Sequence, residues 1–135
     1  MASIFTRIIN REIPGYIVAE DDSFIAFLDV RPMNEGHTLC VPKREVDYYY
    51  DLTDAELTGL TLFSKRVARG LKQAVSCRRI ANGVLGLEVP HAHLHLVPIR
   101  QEGDFRFGRV VEVSEERMRE LRDRIAAAIE SGDQN

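Results

Sequence analysis

The chain has 135 residues, 44% of them hydrophobic and 29% charged, which suits one soluble domain with a real core. Eighteen basic residues against 21 acidic ones leave a formal net charge of −3, so there is no basic field to gather nucleic acid and no polybasic patch for a membrane. No apolar run is long enough to span a bilayer, the first residues lack a signal-peptide layout, and Cys40 and Cys77 stand in unrelated contexts that suit reduced thiols; a cytoplasmic protein is expected.

Ile4, Phe5, Ile8 and Ile9 recur at helical spacing and are followed by Ile13-Pro14-Gly15, which predicts a short first helix. Residues 16–20 and 24–28, around the acidic turn Asp21-Asp22, and residues 38–41 before Pro42 read as strands of an antiparallel meander. Thr53-Asp54-Ala55-Glu56 fits a capping box, and the stripe Leu57, Leu60, Ser64, Val67, Leu71, Val75 predicts a long central helix over about 54–75. A strand near 78–81 and a turn at Asn82-Gly83 come next. In the tail, 109–113 is a further candidate strand. Ser114 then serves as N-cap, with Glu115 and Glu116 favourable in the first turn, for a helix over about 114–130 that buries Met118, Leu121, Ile125 and Ile129. The expected class is α+β: one domain over 1–135, with an antiparallel sheet of about five strands, a long central helix and a C-terminal helix.

The segment with the most chemistry is Pro90-His91-Ala92-His93-Leu94-His95-Leu96-Val97-Pro98, which holds three of the four histidines at i, i+2 and i+4 with apolar residues between. On a strand this spacing puts all three imidazoles on one face and the alanine and leucines on the other. Imidazole serves as nucleophile, base or acid near neutral pH, and a row of such rings is poor core material because each nitrogen wants a partner. His-x-His pairs also hold zinc. Here no cysteine, HExxH or interleaved carboxylate accompanies them, so neither a metal nor another cofactor is expected.

This segment resembles the His-φ-His-φ-His-φ-φ signature of the HIT (histidine triad) superfamily, where φ is apolar. Further blocks over about 3–99 are similar to its Hint-like branch, the histidine triad nucleotide-binding proteins: 3–14, Glu20-Asp21-Asp22, 26–32, 36–43, then Asn82, Gly83 and Gly86. The resemblance implies a HIT-like fold and a nucleotide-binding hydrolase that cleaves nucleoside 5'-phosphoramidates or related adenylylated compounds through a nucleotidyl-histidine intermediate. His93 aligns with the nucleophile, His95 with the phosphate-contacting histidine, His91 with a relay residue behind the nucleophile, and His37 with a further histidine on the neighbouring strand. Asp29 matches the carboxylate that hydrogen-bonds the ribose hydroxyls of an AMP-like nucleotide. Phe5, Ile8, Ile13, Phe27 and Val30 match the base pocket, and Asn82 matches an asparagine near the phosphate. A homodimer built on the long helix and a sheet edge is also implied.

Two departures stand out. The usual Gly-Gln-Ser/Thr-Val before the triad is Gly86-Leu87-Glu88-Val89 here, so the amide and hydroxyl that steady the phosphate or leaving group are replaced at Leu87 and Glu88. Many bacterial relatives hold zinc through Cys-x-x-Cys and a histidine after Pro-Lys, whereas this chain has Ser3, Thr6 and Glu45 at those positions, so no structural zinc is expected. Two other readings stay open on sequence: a dinucleoside polyphosphate hydrolase of the same fold, and a nucleotide-binding or interaction module with little catalytic activity.

Overall fold

The structure, a computed structural model, describes residues 2–133. Its elements are α1 (Ile4–Ile9), β1 (Ile17–Glu20), β2 (Phe24–Leu28), β3 (Thr38–Pro42), α2 (Asp54–Ala74), β4 (Arg79–Gly83), β5 (Leu94–Ile99) and α3 (Glu115–Gly132), with short 3-10 turns at Tyr49–Asp51 and Glu102–Asp104. The five strands form one antiparallel sheet in the order β1-β2-β3-β5-β4.

The central strand β3 and its neighbour β2 are buried along their whole length because both faces of the sheet are covered there. Alternation sorts their side chains. Phe24, Ala26, Leu28 and Cys40 join the core under α2 and α3, while Ile25, Phe27, Leu39 and Val41 pack with Phe5 and Ile8 of α1 on the other face. Leu39 pairs with His95, so the histidine end of β5 belongs to the α1 face.

Helix α2 starts with the capping box read from the sequence: Thr53 Oγ1 accepts from the Glu56 amide at 3.1 Å, and Glu56 accepts from the Thr53 amide at 2.9 Å. Its buried face is Leu60, Phe63, Ser64, Val67, Gly70, Leu71 and Ala74. Gly70 lets α3 approach closely, since a Cβ there would run into the backbone and side chain of Ile129. Ser3 and Ser114 cap α1 and α3, accepting from the amides of Thr6 and Arg117.

Three expectations are corrected. Asn82-Gly83 is not a turn but the end of β4, paired with Leu96 and His95; ladder pairing outweighs the local Asn-Gly preference, and the chain reverses later, where Gly86 adopts φ 80°. Residues 109–113 are not a strand: the segment bonds to the Pro32 carbonyl through the Val111 amide but joins no ladder. The triad is not a single strand, because β5 begins at Leu94 and only His95 lies within it. Ahead of it the His91 amide donates to the Val89 carbonyl and the Ala92 amide to the Val46 carbonyl, so this stretch bonds outside the sheet.

Candidate active site

The four histidines converge, all nearly buried, at 2% exposure for His37, 0% for His91, 5% for His93 and 7% for His95. Their hydrogen bonds fix which nitrogen of each neutral ring carries the proton. Nδ1 of His93 lies 2.7 Å from the main-chain oxygen of His91. A carbonyl only accepts, so Nδ1 holds the proton and Nε2 is left with a bare lone pair. Nδ1 of His37 accepts from the Met33 amide at 2.9 Å, so Nε2–H of His37 donates to Nδ1 of His95 at 2.9 Å. His95 therefore carries its own proton on Nε2. Neither the His93 nor the His95 Nε2 has a partner among the described residues, and neither is sealed from solvent. The two rings sit 4.8 Å apart, one offering a lone pair and the other an N–H.

Burial keeps these rings neutral. It holds His37 down to about 3 and His95 to about 4, with neighbouring histidines adding to the effect, and it lowers His91 and His93 as well.

His91 faces away from the open nitrogens. Its Nε2–H donates to the Pro42 carbonyl at 2.7 Å, and its Nδ1 accepts from Ser3 Oγ at 2.7 Å. Behind Ser3, Glu45 Oε1 accepts from the Ser3 amide at 2.7 Å and from Thr6 Oγ1 at 2.6 Å; the Thr6 bond, then the Ser3 amide, hold the Glu45 carboxyl down to about 2. Ser3, Thr6, Glu45 and His91 thus bond to one another. Two hydroxyls, one carboxylate and one imidazole nitrogen are a poor donor set for zinc, which favours thiolate and imidazole. Asp29, His37 and His95 also lie close enough to share a cation. Both nitrogens of His37 are already committed, so ligation there would break the bond to His95.

Asp29 follows β2. Its Oδ1 accepts from the Arg31 amide at 2.9 Å, and its Oδ2 is 3.7 Å from His37 Nε2. Burial raises its carboxyl against the lowering effect of that amide. Phe5 packs edge-on to His93 at 4.9 Å and to Phe27 at 5.2 Å. Ile8 and Phe27 are buried beside it and Ile13 is partly buried, but Val30 is 72% exposed and outside that cluster. Asn82 pairs with Leu96, so sheet alternation puts Gly83, not Asn82, across from His95. Leu87 and Glu88 are exposed, and the Glu88 charge registers at both Asp29 and His93, which places it at the rim. One contact was missed from sequence: Phe107 packs edge-on to His95 at 5.0 Å. Two phenylalanines flanking Arg106 in a charged tail, Phe105 and Phe107, were its only signal.

An antiparallel α+β scaffold presenting paired imidazoles with opposite open functions defines a histidine-cluster protein of the HIT fold. The chain belongs to the HIT family: the HIT domain matches residues 10–102. It is 41% identical over 116 residues to an uncharacterized HIT-like protein of Methanocaldococcus jannaschii, covering 83% of this chain and 87% of that one. Over 102 residues it is 38% identical to the adenosine 5'-monophosphoramidase of Saccharomyces cerevisiae, covering 75% of this chain and 65% of the yeast protein. Among solved structures, a hypothetical histidine triad nucleotide-binding protein of Sulfolobus tokodaii superposes with a TM-score of 0.84 at 32% identity, covering 94% of this chain and 91% of that one. A zinc-bound histidine triad family protein of Mycobacterium smegmatis gives 0.85 at 26% identity, covering 99% and 97%.

Proposed function

We propose that the protein binds an AMP-like nucleotide and hydrolyses nucleoside 5'-phosphoramidates or related adenylylated compounds through a nucleotidyl-His93 intermediate. The observation that carries this reading is the pair of opposite tautomers, a bare Nε2 on His93 beside an Nε2–H on His95. The lone pair attacks the α-phosphorus as the bond to the leaving nitrogen breaks; the electron pair departs with that nitrogen, which is protonated from solvent at the open rim. His93 becomes cationic, and its Nδ1–H on the His91 carbonyl takes up part of that charge. His95 donates its Nε2–H to a phosphate oxygen. Water then attacks phosphorus from the vacated side, releases the nucleotide and a proton, and returns His93 to neutrality.

Asp29 binds the ribose hydroxyls, and Phe5, Ile8, Ile13 and Phe27 form the apolar wall for the base, with Val30 at its outer edge. The yeast monophosphoramidase supports this substrate class. A homodimer is proposed through α2, where Leu62 is 62% exposed, and the edge strand β4. No helix among the described residues is long and apolar enough to cross a membrane.

The test is a substrate panel of an adenosine phosphoramidate and a diadenosine polyphosphate, with alkaline quenching to trap nucleotidyl-protein. Phosphoramidate turnover with label on His93 supports the reading. Preference for the polyphosphate assigns the other hydrolase, and AMP binding without turnover of either substrate assigns a binding module.

A further inference from the structure

Residues 104–111 lie beyond the 10–102 stretch matched by the family domain, yet they touch the site at several points. The Val111 amide donates to the Pro32 carbonyl at 2.9 Å, and the amide of the same peptide group, on Met33, donates to His37 Nδ1 at 2.9 Å. His37 then donates to His95 at 2.9 Å. Four donors in series, from the Val111 amide to the open Nε2–H of His95, point the same way into the site, an arrangement in which each bond polarises the next. Arg109 clamps the same residue from its other side, its Nε donating to the Met33 carbonyl at 2.8 Å.

The segment also supplies a wall. The rings of Phe5, His93, His95 and Phe107 form a row with spacings of 4.9, 4.8 and 5.0 Å, so the two open imidazoles stand between two phenylalanines. Phe105 backs Phe107 at 5.5 Å and lies over Gly83, the residue paired with His95; a Cβ at Gly83 would stand 2.9 Å from the Phe105 ring. The start of the segment is fixed at Asp104, whose Oδ2 accepts from the amides of Arg100 and Gln101 at 2.8 and 3.2 Å.

We propose that residues 104–111 form a strap that is a working part of the active site, in which Phe107, with Arg109 and the Val111 amide behind Met33, positions His95 so that its Nε2–H faces the phosphate. The proposal rests on the assignment of His95 as phosphate donor. A strap that only covered the sheet would have no bearing on the His95 tautomer. The strap bears on that ring in two ways: Phe107 packs directly against it at 5.0 Å, and the Val111 amide and Arg109 hold Met33, whose amide fixes the His37 tautomer that donates to its Nδ1.

The experiment uses the full chain and the variants Phe107→Ala, Phe107→Tyr and Arg109→Met, with long-range proton–nitrogen NMR to read the histidine tautomers and titrations. His37, His93 and Asp29 are the titratable groups packed about His95 and are followed in the same spectra. Wild type is expected to show His95 protonated at Nε2 only. Phe107→Ala and Arg109→Met should mix the two tautomers and move the His95 midpoint up, and Phe107→Tyr should restore the wild-type pattern. Phosphoramidate kcat should fall about 10- to 100-fold in Phe107→Ala with little change in KM, up to the scale of a catalytic group misplaced by about 1 Å. Should Phe107→Ala fail to fold, Phe107→Leu is read in its place. An unchanged His95 tautomer and midpoint in both the Phe107 and Arg109 variants overturns the proposal whatever the turnover. Absence of phosphoramidate turnover in wild type would defeat the proposed function, while the spectra would still decide the strap.

Discussion

His37 and His95 are joined by a single hydrogen bond, Nε2–H to Nδ1 at 2.9 Å, inside a site that holds both rings neutral, at about 3 and about 4. In the unfolded chain each titrates near 6.5. Below that pH the unfolded state takes up protons that the folded rings refuse. The stability present above 6.5 is therefore lost as pH falls, until His95 protonates near 4 and His37 near 3. Between pH 7 and pH 5 urea unfolding should show a loss of about 2–4 kcal/mol, from about 1.4 kcal/mol per unit for each ring. His37→Asn should remove the His37 share of that slope and leave the remainder to His95 and to the lowered His91 and His93. The depressed Glu45 and Glu56 carboxyls, at about 2, act only in a lower window, from about 4.5 downward. A flat stability between pH 7 and 5 would show that these rings are already charged in the folded protein.

The nucleophile assignment rests on one atom, Nε2 of His93. His93→Asn keeps a polar side chain of similar reach but removes the lone pair that forms the covalent bond. Phosphoramidate turnover should drop by several orders of magnitude, with AMP binding within a few-fold of wild type and no trapped nucleotidyl-protein. Turnover at the wild-type rate would rule the assignment out.

Asp29 has one oxygen on the Arg31 amide and the other 3.7 Å from His37, in a side chain still 22% exposed. That geometry leaves acceptor capacity for two vicinal hydroxyls. Asp29→Asn should weaken nucleotide binding by about 1.5–3 kcal/mol, the scale of hydrogen bonds to a charged partner, and narrow the preference for ribo- over 2'-deoxyribonucleotides. Calorimetry with AMP and dAMP measures both. An unchanged preference would place the carboxylate outside the sugar site.

Ser3 does two jobs with one hydroxyl: it caps α1 through the Thr6 amide at 3.1 Å and donates to His91 Nδ1 at 2.7 Å. Ser3→Ala removes the cap and the 2.7 Å partner of a nitrogen on a fully buried ring, leaving it only the Thr6 hydroxyl at 3.4 Å, whose proton already bonds to Glu45. The cap is worth about 1 kcal/mol and the orphaned acceptor about 1–3 kcal/mol, so a loss of about 2–4 kcal/mol is expected in denaturant unfolding. Ser3→Thr keeps the hydroxyl and should recover most of it. A loss under about 0.5 kcal/mol in Ser3→Ala would mean that water replaces the hydroxyl at no cost.

The elements with strong local signals were legible in the sequence. Ser114 and the Thr53–Glu56 box marked the starts of α3 and α2, apolar stripes marked the buried faces of both, and short apolar runs bounded by turn residues marked β2 and β3. What misled was local preference set against non-local bonding. Asn82-Gly83 has turn chemistry but is held straight by pairing with β5, and the alternation of His91 and His93 looks like a strand although the His91 amide bonds to Val89 and the Ala92 amide to Val46. The His93 tautomer depends on a main-chain oxygen two residues away, and that of His37 on a peptide four residues away, neither of which has a sequence signature. Phe107 reaches His95 from a segment twelve residues further along the chain, a contact set by the path of the tail.

Leu87 and Glu88 are where the chain departs most from the pattern it resembles, and the structure narrows what they do. Leu87 is 83% exposed and its side chain carries no hydrogen-bond donor. Burial dominates the titration of Asp29 and His93, but the Glu88 charge also acts on both and favours a proton on each. A carboxylate at that range opposes an incoming phosphate and attracts a cationic leaving group. Leu87→Gln combined with Glu88→Ser replaces repulsion with two donors, and a positioned donor at developing charge is commonly worth a few kcal/mol, so turnover of a simple phosphoramidate should rise ~10-fold or more. The double variant should be assayed on two substrates, one with a neutral leaving amine and one with a lysine-like leaving amine that keeps a free ammonium group. A gain on both would mean that the two residues only blunt catalysis. A gain on the neutral substrate with a loss on the cationic one would make Glu88 the residue that selects a basic leaving group, because only that substrate has a charge for the carboxylate to hold. A loss on both would remove the blunting role altogether and leave Glu88 as a contributor to catalysis itself.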